Sequence, residues 1–294
     1  MTIQGQPRVA VVSGASSGIG KAAARALASK GWHVLGLGRD AARCSTAEAE
    51  IRAAAAPGSR VDMLRADLSL LADTARVARE LTARTDRVDV LINNAGGVGN
   101  KMLMTPEGNE ATFASNHLGP FLLTLRLLPL LRTAVVASRP GDVRIIATSS
   151  IGHHHSPPMD WEDIQRIRNF TTGGAYTNAK LANVLFTRAL AVRLAGDGIV
   201  AHAMEPGIVL ASNFVSHADE AMQRYMATLT AVAVSPEEAA ATLVWLATAP
   251  EAGETSGGYY CQCKPAPMSA AAQDDAAAER LWIESEALVR RAGV

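Results

Sequence analysis

Short apolar runs recur along the chain, and each is followed by a segment with helical spacing. Arg8–Ser13 (RVAVVS), His33–Gly38 (HVLGLG), Val61–Ala66, Val88–Ile92 (VDVLI), Val143–Ser149, Ile199–Met204 and Gly258–Cys261 read as strands. Between and after them, Lys21–Lys30, Ala41–Ala55, Leu70–Arg84, Thr112–Ala137, Ala175–Ala195, Pro236–Thr248 and Asp274–Arg291 read as helices. Leu70–Arg84 carries its apolar stripe at Ala75, Ala78 and Leu81, and Ser235 followed by Pro236 marks a helix start as N-cap and first helical residue. Strands that are apolar throughout, rather than alternating, predict a parallel sheet covered on both faces. The expected fold is α/β: one Rossmann-like, doubly wound domain over residues 1–294, with about seven strands and helices on both faces.

Two segments interrupt the alternation. Gly152–Gly174 holds His153, His154, His155 and Trp161, and Ser212–Ala233 follows a Pro-Gly turn. Both leave the carboxyl ends of strands, the ligand side of an open α/β sheet, and long excursions of this kind commonly serve as lids or binding loops. They are the expected substrate loops, and Met102, Met104, Met159, Trp161 and Phe214 are candidates for an adaptable apolar pocket or for plain core packing.

Composition narrows the class. Hydrophobic residues make up 48% and charged residues 19%, which excludes disorder. The 28 basic and 28 acidic side chains cancel, so no nucleic-acid partner is expected. Three cysteines, Cys44, Cys261 and Cys263, favour a reducing compartment over a disulfide framework. The start shows no signal-peptide pattern, and Phe121–Ala137, broken by Arg126 and Arg132, reads as too short for a bilayer span. A cytoplasmic protein without a membrane anchor is expected. Cys261-x-Cys263 lacks a second ligand pair, and three adjacent histidines point different ways on an extended chain, so no metal site is expected.

Ser13-Gly14-Ala15-Ser16-Ser17-Gly18-Ile19-Gly20 lies between the first strand and first helix. Glycines there permit a tight turn and close approach to a pyrophosphate, and the helix start offers free N–H groups and a positive dipole end. The spacing is G-x-x-x-G-x-G rather than the commoner G-x-G-x-x-G. The second strand ends in Gly38-Arg39-Asp40. An arginine at that point suits a ribose 2′-phosphate, with Arg43 as a second positive charge, and predicts NADP(H); Asp40 at the ribose would instead mean NAD(H).

Tyr176 and Lys180 stand four apart in a helical segment and so share a face. A tyrosine is a poor base at pH 7, and lowering its pKa by roughly three units takes about 4 kcal/mol of differential stabilisation. An ammonium in a partly dry site, with an oxidised nicotinamide, could supply that. Only five of the 28 basic residues are lysines, which makes a chance Y-x-x-x-K less common here.

The ordered set of SGASSGIG at Ser13–Gly20, Asp67-Leu68, NNAG at Asn93–Gly96, Asn116 in NHLG, Ser149-Ser150, YTNAK at Tyr176–Lys180 and Pro206-Gly207 resembles the short-chain dehydrogenase/reductase family. The resemblance implies Tyr176 as general acid and base, with Lys180 lowering its pKa and binding the nicotinamide ribose. It implies Ser150 on the substrate oxygen, with Ser149 as the alternative, and Asn116 anchoring a water that links Lys180 to solvent. For the cofactor it implies a cradle of Gly14, Ser16, Ser17, Gly18, Ile19 and Gly20, with Arg39 at the 2′-phosphate. Asp67 and Leu68 would meet the adenine, Asn94, Ala95 and Gly96 the adenine-side ribose, and Pro206, Gly207 and Val209 the nicotinamide. NHLGPFLLT at Asn116–Thr124, AYTNAKLANVLFT at Ala175–Thr187 and the late GGYY…RLW pattern are similar to the retinol-dehydrogenase-like branch. That branch implies a small apolar alcohol, aldehyde or ketone as substrate. The family also implies a homodimer or homotetramer built on the helices Thr112–Ala137 and Ala175–Ala195. A non-catalytic NADP(H)-binding redox sensor is the alternative from another class.

Several residues depart from the family pattern. Ser13 replaces threonine, Pro120 falls in a helix that it should kink, Glu205 stands where the branch tends to have histidine, and Ala211, followed by Ser212, occupies a common cofactor-contact position.

Overall fold

The computed structural model describes residues 7–210 and 220–294. Its strands are β1 (Val9–Ser13), β2 (His33–Gly38), β3 (Val61–Arg65), β4 (Val90–Asn93), β5 (Val143–Thr148), β6 (Ile199–Glu205), β7 (Tyr259–Cys261) and β8 (Lys264–Pro265). Its helices are α1 (Gly18–Ser29), α2 (Ala41–Ala53), α3 (Leu71–Arg84), α4 (Ala111–Phe113), α5 (Gly119–Val136), α6 (Thr172–Arg193), α7 (Glu220–Ala227), α8 (Pro236–Thr248) and α9 (Asp275–Arg291). One sheet runs β3-β2-β1-β4-β5-β6-β7-β8. All neighbours are parallel except β7 and β8. The chain winds outward from β1 in one direction and from β4 in the other, so a crevice opens where the two halves part, at the carboxyl ends of β1 and β4.

The apolar strands cover both faces because their alternate residues serve different layers. Val9 and Val11 belong to the core under α3, α5, α6 and α9, whereas Ala10 and Val12 belong to the core under α1, α2 and α8. The predicted helix at Pro236–Thr248 begins in a capping box: Ser235 Oγ accepts from Glu238 N–H, and the Glu238 carboxylate accepts from Ser235 N–H.

Four expectations need correction. The sheet has eight strands, not about seven: Cys261 and Lys264 pair across a two-residue turn in which Gln262 and Cys263 take φ of 49° and 60°, and a two-residue final strand carries no periodic signal. The first helix starts at Gly18, inside the glycine loop. The helix expected over Thr112–Ala137 is α4, a π-helical turn at Ala114–Leu118 and α5. Pro120 has no N–H to bond the Asn116 carbonyl four residues back, and the wider turn absorbs that loss. Finally, Ala111–Val136 is one helical stretch long and apolar enough to cross a membrane by length and composition, contrary to the reading of Phe121–Ala137. Its Phe113, Leu118, Phe121, Leu123, Leu127 and Leu131 are fully buried in the core of this domain.

Gly119 lets α5 touch the turn after β3, which carries one wall of the crevice. A Cβ there would lie 2.1 Å from the Leu68 carbonyl oxygen. Gly119→Ala should therefore lower stability by roughly 1–3 kcal/mol. Gly196→Ala, with nothing within 4 Å of the added carbon, should be neutral or stabilising by up to about 1 kcal/mol. Urea unfolding of both variants checks this; equal midpoints would show that the contact carries no strain.

Candidate active site

The glycine loop is built as a cradle. Gly14 and Gly18 take φ of 72° and 53°, and a Cβ on Gly20 would lie 2.4 Å from the Gly14 carbonyl oxygen. Only glycine permits that turn and that helix–loop contact. Ser17, the N-cap of α1, makes no side-chain cap bond, and the first turn holds no acidic residue. The leading N–H groups of α1 therefore face the crevice free to receive an anion. Asn94 clamps the loop: its Nδ2 donates to the Ser13 carbonyl, and its Oδ1 accepts from Thr148 Oγ1. Ser13 Oγ accepts from both Asn94 and Ala95 N–H and donates to the Ile92 carbonyl, so the serine bridges β1 and β4 with its hydroxyl alone.

A single cleft of 680 Å³ runs along the carboxyl edge of the sheet. Gly14, Ser16, Ser17, Gly18 and Ile19 line it beside Arg39, Asp67, Leu68, Asn94, Ala95 and Gly96, and further along it meets Ser150, Tyr176, Lys180, Pro206, Gly207 and Val209. Gly20 packs just behind it, against Gly14 and Asn94. Asn116 lies beneath Gly96 and Gly97. An elongated, phosphate-bearing dinucleotide fits this donor set and this volume.

At one end Arg39 is exposed, while Asp40 is engaged: its carboxylate caps α2 by accepting from Arg43 N–H at 2.8 Å, which holds it below the usual carboxylate range. The Asp67 carboxylate accepts from the N–H and hydroxyl of Ser69, and its own N–H donates to Asp73.

At the other end α6 carries Tyr176 and Lys180 one turn apart, with the ammonium 5.5 Å from the phenol ring centre. Thr171 caps the start of this helix by accepting from Gly174 N–H. Lys180 is 4% exposed, and its Nζ donates to the Thr148 carbonyl at 3.0 Å. Burial pulls its pKa down to about 8. Tyr176 is pushed up to about 12 by burial, opposed by a hydrogen bond with Ser150. The ammonium alone thus does not make Tyr176 a base in the protein without ligand. The two serines separate: Ser149 Oγ donates to the Lys180 carbonyl and is buried, whereas Ser150 Oγ meets Tyr176 and accepts from Gly152 N–H. Asn116 is fully buried, with Nδ2 donating to the Gly97 and Thr112 carbonyls and Oδ1 accepting from Gly97 N–H.

Other expectations fall differently. Met159 is buried in the core and Trp161 packs against it, with Arg280 4.8 Å over the indole; neither lines the cleft. Met102 and Met104 are exposed, while Leu103 between them faces the cleft. Of the second excursion, Ala211, Ser212 and Phe214 lie outside the described residues; Met226 and Leu229 line the cleft. The three histidines lie on a 3-10 turn (Ile151–His155) rather than on an extended chain: His153 is buried, His154 is exposed with its ring centroid 4.0 Å from that of His153, and His155 lines the cleft. Asn183 escaped the sequence reading. Its Nδ2 donates to the same Thr148 carbonyl that Lys180 uses, and its place three residues after Lys180 on α6 was the available signal.

The chain matches the short chain dehydrogenase family over residues 8–223. It is 36% identical over 287 residues to retinol dehydrogenase 13 of Homo sapiens, covering 96% of this chain and 84% of that one. It is also 36% identical over 275 residues to retinol dehydrogenase 12 of Homo sapiens, covering 94% and 84%. Among solved structures, an uncharacterized protein from Mycobacterium paratuberculosis superposes with a TM-score of 0.74 at 28% identity, over 99% of this chain and 97% of that one. The Pseudomonas aeruginosa RhlG/NADP active-site complex superposes with a TM-score of 0.68 at 28% identity, over 88% and 94%. With its parallel sheet, glycine cradle and Ser150–Tyr176–Lys180 cluster, the chain belongs to the short-chain dehydrogenase/reductase family, in its retinol-dehydrogenase-like branch, as an NAD(P)-dependent oxidoreductase acting on CH–OH groups.

Proposed function

We propose that the protein interconverts an apolar alcohol and its ketone or aldehyde with NADP(H), using Tyr176 as proton donor and acceptor. The observation that carries this reading is Ser150 hydrogen-bonded to a half-buried Tyr176 above a buried Lys180, at the mouth of a cleft that begins in a phosphate cradle. The bound nicotinamide supplies or receives the hydride. Ser150 and Tyr176 together hold the substrate oxygen; in reduction Tyr176 gives it a proton, and in oxidation it takes one. Lys180 binds the nicotinamide ribose and steadies the phenolate. The Asn116 side chain is already spent on Gly97 and Thr112, so the relay water would fall to its backbone carbonyl, which Pro120 has no N–H to bond.

Exposed Arg39 beside Arg43, with the Asp40 carboxylate committed to capping α2, supports a 2′-phosphate at this end and hence NADP(H). The similar RhlG structure is an NADP complex. Leu103, Ile151, Ile208, Val209, Met226 and Leu229 line the cleft, which supports an apolar substrate, as the retinol dehydrogenases' names suggest for theirs. The free thiols of Cys44, Cys261 and Cys263 support a reducing cytoplasmic setting.

Turnover followed at 340 nm with NADPH and a panel of apolar ketones and aldehydes should fall about 10²- to 10⁴-fold in Tyr176→Phe while cofactor affinity holds. Unchanged turnover would remove Tyr176 from the chemistry, and a protein that binds NADPH but turns over nothing would favour the sensor reading. Arg39→Asp should weaken NADPH binding roughly 10- to 100-fold and leave NADH little changed; equal NADPH affinity would contradict the 2′-phosphate assignment. The pH profile of kcat/KM for NADPH reports groups of the free enzyme. Lys180 is charged below its pKa of about 8 and neutral above it, so the profile should be level to about pH 8 and fall beyond. A profile level to pH ~10 would contradict a role for the ammonium in binding.

A further inference from the structure

His153 follows the serine pair, is fully buried, and has no part in the chemistry described so far. Both of its ring nitrogens are engaged. Nδ1 lies 2.8 Å from the Ser150 carbonyl oxygen, and Nε2 lies 3.2 Å from the backbone nitrogen of Ser269. A carbonyl can only accept and an amide N–H can only donate, so these two partners dictate one state of the ring: neutral, with the proton on Nδ1. Burial depresses the basicity of His153, in keeping with that state.

The contact concerns the oxygen-holding serine directly. The Ser150 carbonyl receives two bonds from His153, one from the ring and one from its backbone N–H at 3.0 Å, while Ser150 Oγ accepts from Gly152 N–H. Together they set the peptide plane from which the Ser150 hydroxyl projects towards Tyr176. The ring is itself backed: it packs on Tyr259 with centroids 4.8 Å apart, and the Tyr259 hydroxyl donates to Glu205 at 2.9 Å. Glu205, one of the departures from the family pattern, thus has a place, as the anchor of the phenol behind His153.

We propose that His153 is a positioning residue: a neutral strut, held by the Ser269 N–H and backed by the Glu205–Tyr259 pair, that fixes the Ser150 backbone so that its hydroxyl meets Tyr176. The proposal rests on the oxidoreductase reading for its kinetic consequence but not for its geometry. The segment after β8 therefore contributes to the site through His153 without reaching the cleft.

Two measurements test it. In the first, His153→Phe keeps the ring's bulk against Tyr259 and removes both hydrogen bonds, while His153→Asn keeps a donor near the position of Nδ1. With the carbonyl that the wild type reduces, the Phe variant should lose about tenfold or more in kcat with NADPH affinity kept, and the Asn variant should recover to within about threefold of wild type. A folded Phe variant with kcat within about twofold of wild type, or an Asn variant as slow as the Phe variant, would overturn the proposal. The second needs no substrate. In protein carrying ¹⁵N-labelled histidine, the His153 ring, identified by its loss in the Phe variant, should show the neutral Nδ1–H tautomer at pH 7. The opposite tautomer would overturn the proposal. Should the Phe variant not fold, Ser269→Pro decides instead. Ser269 has a φ of −60°, which proline shares, so the change removes the donor to Nε2 with the Ser269 backbone angle kept. One of the seven histidines should then leave the single Nδ1–H state. Ser269→Ala, which retains that N–H, should not produce the change, and an identical spectrum in both variants would contradict the strut. If the tautomer is as expected and no carbonyl is turned over, the oxidoreductase reading fails and the geometric one stands.

Discussion

A buried ammonium is costly to keep, and the placement of Lys180 organises this site. The side chain is 4% exposed, its Nζ donates to the Thr148 carbonyl, and its own backbone carbonyl receives the Ser149 hydroxyl. Asn183, one turn on, shares the same Thr148 acceptor. The end of β5 and the middle of α6 are thus tied together through one cation and two hydroxyl-or-amide contacts. Tyr176 sits one helical turn earlier and Ser150 one residue beyond Ser149, so both are located by the same tie. Burial that draws Lys180 towards pH 8 also pushes Tyr176 towards 12. Burial thus disfavours both the ammonium and the phenolate, and under the proposed function a cation bound near the phenol would favour loss of the Tyr176 proton.

The glycine-loop end of the cleft is shaped by backbone proximity. Gly20 against Gly14, Gly96 over Asn116 and Gly119 under Leu68 are all places where an added carbon would lie within 2.4 Å of another atom. Each brings a different loop to the edge of the crevice: the cradle, the turn after β4 and the wall after β3. The polar clamps Ser13, Asn94 and Asn116 then spend their hydrogen bonds on loop backbone, which leaves the N–H groups at the start of α1 as unclaimed donors facing the cleft.

What was legible from the chain was whatever depends on local spacing. The strands follow from continuous apolar runs, the helix at Pro236–Thr248 from its Ser-Pro start, the glycine loop from its motif and the Tyr176–Lys180 pair from helical spacing, and they recur in the structure with boundaries moved by a few residues. What stayed hidden depends on register or on distant partners. Which of Ser149 and Ser150 faces Tyr176 is decided by how the end of β5 sits against α6. Trp161 packs on the core under Arg280, a residue more than a hundred positions later. The π-helical turn before Pro120 was foreshadowed only as a kink, since its form also needs Asn116 to reach Gly97. His153 looked like one of three loop histidines until Ser269 and Tyr259 were seen around it.

The central claim is that Tyr176 is held protonated by burial and becomes a base only when Lys180 is joined by the charge of the oxidised cofactor. Phenolate absorbance near 295 nm, taken as wild type minus Tyr176→Phe and titrated with and without saturating NADP⁺, reads this proton directly. Without cofactor the difference signal should reach its midpoint only near pH 12. With NADP⁺ it should emerge at least about two units lower. An identical titration in both states would contradict the account.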